Sequence, residues 1–433
     1  MKCLPLCLLL ALGSVHDIGW CADQSHPGEG NPTAIAIAGK SPMVNSALAF
    51  LKGQAGKIGD AHARTVTLDA IANPDTCIAH RAGLDANAKA AIVRQLLQAG
   101  LLDPVDDRTF PGGFAAGVFP PVRDDGSSCP HLPQPFSSAP GSSFGSHHSY
   151  PGGLAIHEAF NETTAVSLAR DYRTFYGHHD AAGLPTIEPV FDAAHADISI
   201  DEDVIIAAPM WHDWAKTIVY QWNSDGTEFQ ELLIGGNAAT DNYGSAGNSK
   251  TGGHHILGLA EAMARAMPPR FILAQACAHS APVLGAEYKV VNWIRAAAII
   301  ARVDPVAGGY LRIDADRKLR LAEVRSIASI DGDPKEPSMI AEDAIHNLSD
   351  ANFNLALPAI AKVNSGLRAL APKFGYSPND AATYNNSFRN PVMSYLTAER
   401  LFFVMTNEGM PGLEREVRKL LSAGLLRPVS EKR

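Results

Sequence analysis

Residues Val204–Asp213 read Val-Ile-Ile-Ala-Ala-Pro-Met-Trp-His-Asp, an apolar run that ends in a His-Asp pair. No polar stripe interrupts the first eight residues, so a helix here is buried. An ionised carboxylate at the end of a buried helix needs a cation or a strong hydrogen-bond set. An imidazole nitrogen beside a carboxylate suits a divalent metal such as Mn, Fe, Zn or Ni. Lys216 follows one turn later. It reads equally as a cation that neutralises a phosphate and as an exposed lysine on a helix flank.

The surroundings are helical as well. Leu154–Tyr172, Val204–Trp222, His254–Met267, Phe271–Ser280 and Val290–Val303 read as five helices, with Pro268-Pro269 between the third and fourth. Ser41–Gly100 and most of the last hundred residues also carry helical spacing. Tyr310–Val324 alternates apolar and polar residues around Asp314-Ala315-Asp316 and reads as a small hairpin. The fold class is all-α with at most a minor β-hairpin. Residues 14–40 read as a loose lead-in. Residues 106–146 are rich in Pro, Gly and Ser, as a loop draped over a site would be. The phrase Val93–Pro104 returns at Val417–Pro428 with nine of twelve residues matching, through duplication or through shared helix-stop chemistry.

Composition limits the function. The chain has 433 residues, 46% of them hydrophobic and 19% charged, so it buries a core and is not a disordered chain. The net charge of −9 argues against a nucleic-acid-coating protein, and no stable nucleic-acid complex is expected. Histidine is the outlier. Eleven of the 16 fall between His131 and His279, although an even spread would place between five and six there. Histidine is the commonest metal ligand.

Several of these histidines sit at helix ends. His157 follows the Tyr150-Pro151-Gly152-Gly153 turn, and His254-His255 opens the third helix. His279 closes the fourth helix, and Asp304 closes the fifth. Metal sites in helical bundles are built from inward-facing side chains on neighbouring helices. The other His-Asp pair, His179-Asp180, lies between loop residues and reads as a solvated turn. His62, His80, His195 and His346 fall outside the pattern and read as surface or satisfied histidines.

The order His157, His212-Asp213, Asp304 resembles the H…HD…D signature of the HD-domain metal-dependent phosphohydrolase superfamily. The Tyr-Pro-Gly-Gly-Leu…His lead-in, the His-Asp-x-x-Lys step, the Gly-His-x-x-Leu-Gly helix start and the later Ala-His-Ser resemble a bacterial exoribonuclease-like branch of it. The likeness covers residues 147–305. It implies an HD-type helical bundle as the metal-binding core, with extra helices in residues 14–105 and 306–433. It also implies one or two divalent transition metals and hydrolysis of a small-molecule or nucleotide phosphoester. By the same resemblance His157, His212, Asp213 and Asp304 hold a first metal. Asp213 then bridges to a second, held by His279 and by His254 or His255. His255 is slightly preferred, because it shares a face with Leu259 and Ala262 while His254 shares one with Glu261 and Arg265. Asp213 and Lys216 are the candidate catalytic residues; His148 and Lys216 are the candidate substrate contacts. Two features depart from the family: the long stretch between His157 and His212, and Pro305 directly after Asp304. A di-iron oxygenase on the same fold and a non-catalytic metal-binding protein are the alternatives.

The N-terminus, Met1-Lys2 and then the apolar Cys3–Gly13, reads as a secretory signal with cleavage before Ser14 or near Ala22. The expected location is periplasmic or secreted, with no transmembrane segment after signal removal. In that compartment a Cys77–Cys129 disulfide is available.

Overall fold

The computed structural model describes residues 26–187, 196–228, 230–236, 248–283, 285–322 and 340–427. The signal reading, His195 and residues 188–195 of the long stretch between His157 and His212 lie outside them. Among the described residues the fold is helical with two short antiparallel strand pairs, as the sequence patterning predicts.

The lead-in differs from expectation. Asn31–Lys40 forms a helix, α1, because Ala34, Ile37 and Ala38 recur at helical spacing and are buried. Ser41 caps α2 (Pro42–Ala55) by accepting from the Val44 N–H at 3.1 Å. Its hydroxyl also donates to the Ser394 carbonyl at 2.5 Å, which ties this corner to the C-terminal helices. α3 (Ala61–Ala72) and α4 (Ala86–Gln98) begin at aspartate caps, Asp60 and Asp85. Two short helices, α5 (Asp106–Thr109) and α6 (Gly113–Val118), punctuate the Pro/Gly/Ser-rich segment.

The long α7 (Gly153–Tyr176) starts where the sequence places it. Gly152 has φ +82°, and a Cβ there would lie 2.2 Å from Val44 Cγ2, so only glycine fits this turn. α8 (Glu202–His212) is capped by Asp201 and stops at His212; the expected helix to Trp222 breaks at Asp213, and a short α9 (Lys216–Val219) resumes it. Strands β1 (Leu233–Ile234) and β2 (Thr251–Gly252) pair just before α10 (Gly253–Ala264). α11 (Pro269–Ala276) and α12 (Glu287–Ala301) follow, then the expected hairpin, β3 (Leu311–Ile313) with β4 (Leu319–Leu321). α13 (Ala341–Ser349), α14 (Phe353–Leu370), α15 (Ala381–Tyr384), α16 (Asn390–Leu396) and α17 (Ala398–Ser422) complete the chain, with a turn of π-helix over Asn385–Arg389.

α8 lies at the centre, packed on α7, α10, α11 and α13. Its Trp211 and the adjacent Trp214 are fully buried in the main core with Leu51, Leu154, Leu257 and Ile294. A second apolar core joins α14, α16 and α17 through Ile360, Leu367, Val392, Leu413 and Val417. The repeated phrase ends both helices with the same stop chemistry. Gly100 and Gly424 both have φ +69°, and the next N–H in each case bonds five residues back, Leu101 to Leu96 and Leu425 to Leu420, both at 2.9 Å. The two helices serve different cores.

Among the described residues no single helix is long and apolar enough to cross a membrane. Cys77 and Cys129 form a disulfide.

Candidate metal centre

The end of α8 is the middle of the site. His212 is fully buried, and its Nδ1 donates to the Pro209 carbonyl at 2.9 Å, one of the carbonyls left without a helical partner in a last turn. That bond places the proton on Nδ1 and leaves the Nε2 lone pair for the site. Nε2 lies 3.4 Å from Asp213 Oδ2 and 3.3 Å from Asp350 Oδ1. His157, on the second turn of α7, brings its Nε2 to 3.3 Å from Asp213 Oδ2 and 3.1 Å from Asp350 Oδ1.

These four atoms are close yet badly aligned for bonding one another. His157 Nε2 and His212 Nε2 are buried and make no hydrogen bond within the protein. Their edges of 3.1–3.4 Å are those of donors facing a common centre. Ligands about 2.1 Å from one ion are separated by about 3.0–3.4 Å in octahedral or tetrahedral geometry. Burial pushes the His157 ring toward neutrality, but Asp213 and Asp350 outweigh it and raise it to about 9. The two carboxylates therefore favour a cation between them and the rings.

A second group shares Asp213. Its Oδ1 lies 3.1 Å from His254 Nε2, and again neither atom is hydrogen-bonded. His254 Nδ1 donates to Glu231 Oε2 at 2.6 Å, and the same oxygen accepts from the His254 N–H at 2.9 Å. Such a carboxylate behind an imidazole fixes the tautomer of a metal ligand. His279 closes this group, its Nδ1 held 2.9 Å from the Thr251 hydroxyl. The donor atoms of Asp213, His254 and His279 lie within 4.8 Å of one another, as do those of His157, Glu158, His212 and Asp213. These buried His, Asp and Glu clusters can hold metal ions.

Two sequence expectations are corrected. Asp304 is not in the site. α12 ends at Ala301, Arg302 turns left-handed at φ +60°, and Asp304 is exposed, its Oδ1 accepting from the Val306 and Ala307 N–H groups. Asp350, just beyond α13, takes the place assigned to it beside His157 and His212, so the cluster draws on a residue beyond 305. The preference for His255 also fails. Its Nε2 lies 3.2 Å from the Ala276 carbonyl, and its ring stacks on His279 at 4.3 Å between centroids. His255 braces the ligand set from behind.

The remaining candidates fall into place around this core. Lys216 is not an exposed flank lysine: it is buried, and its ammonium donates to Asp213 Oδ2 and to the Gly141 carbonyl. His148 is buried with φ +50°, its Nε2 is 3.3 Å from Glu399 Oε1, and its ring lies 5.1 Å from that of His157. His147 flanks His157 at the same separation. The loop that ends the Pro/Gly/Ser-rich segment therefore does reach the site. His179 is exposed, and Asp180 caps its own turn through the Ala182 and Leu184 N–H groups.

Sequence reasoning missed three contributors besides Asp350. Glu158 is fully buried beside His212, 3.6 Å from its Nδ1, and burial pushes its carboxyl well above the usual range. Glu231 supports His254. His346 is buried against His212, with ring centroids 5.0 Å apart and its Nδ1 on the Ala274 carbonyl at 2.8 Å. A signal for Asp350 exists: it lies one turn after His346, so the pair shares a helical face.

No protein-family model, curated protein or solved structure matches this chain.

Proposed function

We propose that this chain is an exported metal-dependent phosphohydrolase of the HD type, acting on a small-molecule or nucleotide phosphoester. The observation that carries the reading is that His157 and His212 each bring Nε2 to 3.1–3.4 Å from both Asp213 Oδ2 and Asp350 Oδ1, with the second Asp213 oxygen turned to His254. His157, His212, Asp213 and Asp350 would hold a first divalent ion, and Asp213, His254 and His279 a second. The mixture of imidazole and carboxylate donors favours Mn, Fe, Zn or Ni. Bound there, such ions supply Lewis acidity and a water-derived nucleophile at neutral pH.

The chain's own residues set the stage for that chemistry. Pro209 and Glu231 hold the His212 and His254 rings with Nε2 facing inward. Lys216, anchored on Asp213 and Gly141, supplies a fixed cation to a phosphate oxygen. His148, buried beside His157, would contact the substrate. With a net charge of −9 the whole chain repels a phosphoester, so attraction would come from the bound ions and from Lys216. The Cys77–Cys129 disulfide supports export, since disulfides persist in oxidising compartments.

The test is hydrolysis of phosphomonoesters, phosphodiesters and nucleotides by protein loaded with Mn under anaerobic conditions. Turnover that is lost in His212→Ala supports the proposal. Inactivity on all three classes, combined with oxygen consumption by the Fe-loaded protein, would replace it with the di-iron oxygenase reading that the same ligand set allows.

A further inference from the structure

A second pocket lies in the C-terminal region, lined by none of the residues of the candidate metal centre. A cavity of about 370 Å³ opens between α14, the π-helical turn and the loop before His147; Phe144, Asn364, Arg368, Asn379, Tyr384 and Arg389 are among its lining residues. The volume is that of a small-molecule pocket. Arg389 is fully buried. Among the described residues its guanidinium is held by neutral groups: Nε on Asn364 Oδ1 at 2.9 Å, one terminal nitrogen on Asn390 Oδ1 at 2.6 Å, the other on Ser149 Oγ at 3.3 Å. It also sits 4.4 Å from the centroid of the Phe144 ring.

A buried guanidinium without a paired anion is costly. Among the described residues the only carboxylate that Arg389 feels strongly is Glu228, which makes no ion pair with it within 4 Å and whose two oxygens have no hydrogen-bond partner. Burial pushes the Glu228 carboxyl up to about 8, which favours its neutral form. Arg368 lines the same cavity, is exposed, and makes no ion pair among the described residues. These hydrogen bonds of Arg389 use three of the five N–H donors of its fork. π-Helical turns such as Asn385–Arg389 are frequent at functional sites.

We infer that this cavity is a binding site for a small organic oxyanion, a phosphorylated or carboxylated compound of sugar-phosphate to mononucleotide size, whose anionic group is received by Arg389 and Arg368. The loop over residues 141–149 joins it to the metal centre. Phe144 and Ser149 touch Arg389, while the Gly141 carbonyl holds Lys216 and His148 borders His157. Occupancy of the cavity therefore bears on the loop that lines the metal site. The inference does not depend on the phosphohydrolase reading.

Calorimetric titration of metal-free, full-length protein with inorganic phosphate, adenosine monophosphate and succinate tests it. At least one of these binds at one equivalent per chain; phosphate or the nucleotide alone identifies a phosphoryl site, succinate alone a carboxylate site. Arg368→Glu and Ser365→Trp, both at exposed lining positions, each weaken that binding at least tenfold while circular dichroism and Tm stay at wild-type values. His212→Ala, which strips the metal centre, leaves it intact. Binding of none of the three probes, binding unchanged in both pocket variants, or binding lost only in His212→Ala would overturn the inference.

Discussion

His254 and His255 are neighbours in sequence and opposites in chemistry. His254 presents an unbonded Nε2 to Asp213, with Glu231 behind it; His255 spends its Nε2 on a backbone carbonyl. His254→Ala is expected to lose the second metal and lower the metal content by up to one ion per chain. His255→Phe is expected to keep it, because stacking on His279 is what that ring provides. Elemental analysis of the two purified variants checks this. Sequence alone could not separate the pair. The helical-face reading assumed that the side carrying Glu261 and Arg265 is exposed, yet every residue from Gly253 to Met263 is buried. A helix buried all round has no outer face to read. The His212-Asp213 pair was legible for the opposite reason: a carboxylate placed after eight apolar residues is costly wherever the fold puts it.

Elements hold these residues in register, and two joints dominate. The first is the start of α7, where Gly152 is left-handed and crowded by Val44. Gly152→Ala is expected to cost roughly 1–3 kcal/mol of stability, measured by denaturant unfolding. The second joint fixes α10 to the disulfide-bearing segment. Glu261 accepts from the Ala79 and His80 N–H groups, the His80 ring and Arg265. Burial acts against its charge, but these donors hold the carboxyl at about 2. A folded value below the unfolded one means that this carboxylate stabilises the protein above pH 4.5 and loses that effect as pH falls toward 2. Glu261→Gln is thus expected to lower stability at pH 7 by up to about 3 kcal/mol. The gap from wild type should close between pH 4.5 and 2 in unfolding curves taken across that range. Neither joint's partners were legible, since Val44 and Ala79 are distant in the chain from Gly152 and Glu261. The turn itself was legible, because Pro-Gly-Gly before an apolar helix has few other readings.

At the scale of the whole molecule, the all-α class was legible from periodicity, but the extent of the site was not. The fifth helix ends in an aspartate at the place the H…HD…D order calls for, yet Asp304 caps a surface turn. The carboxylate that meets His157 and His212 comes from Asp350, 46 residues later by subtraction of the two residue numbers, after a hairpin and α13. Long-range closure of this kind leaves little local trace. The Cys77–Cys129 link closes another long loop, 52 residues apart. Cys77→Ser with Cys129→Ser is expected to lower stability by about 2–4 kcal/mol, read as a lower denaturation midpoint. The central claim is that one buried ligand set spans α7, α8 and the turn after α13. Its most direct test is metal content per chain, by elemental analysis, in wild type, Asp350→Ala and Asp304→Ala reconstituted side by side. Wild type and Asp304→Ala should carry one to two transition-metal ions, and Asp350→Ala should carry at least one fewer or none. Wild-type protein without metal after reconstitution, or metal lost from Asp304→Ala and kept in Asp350→Ala, would contradict the account.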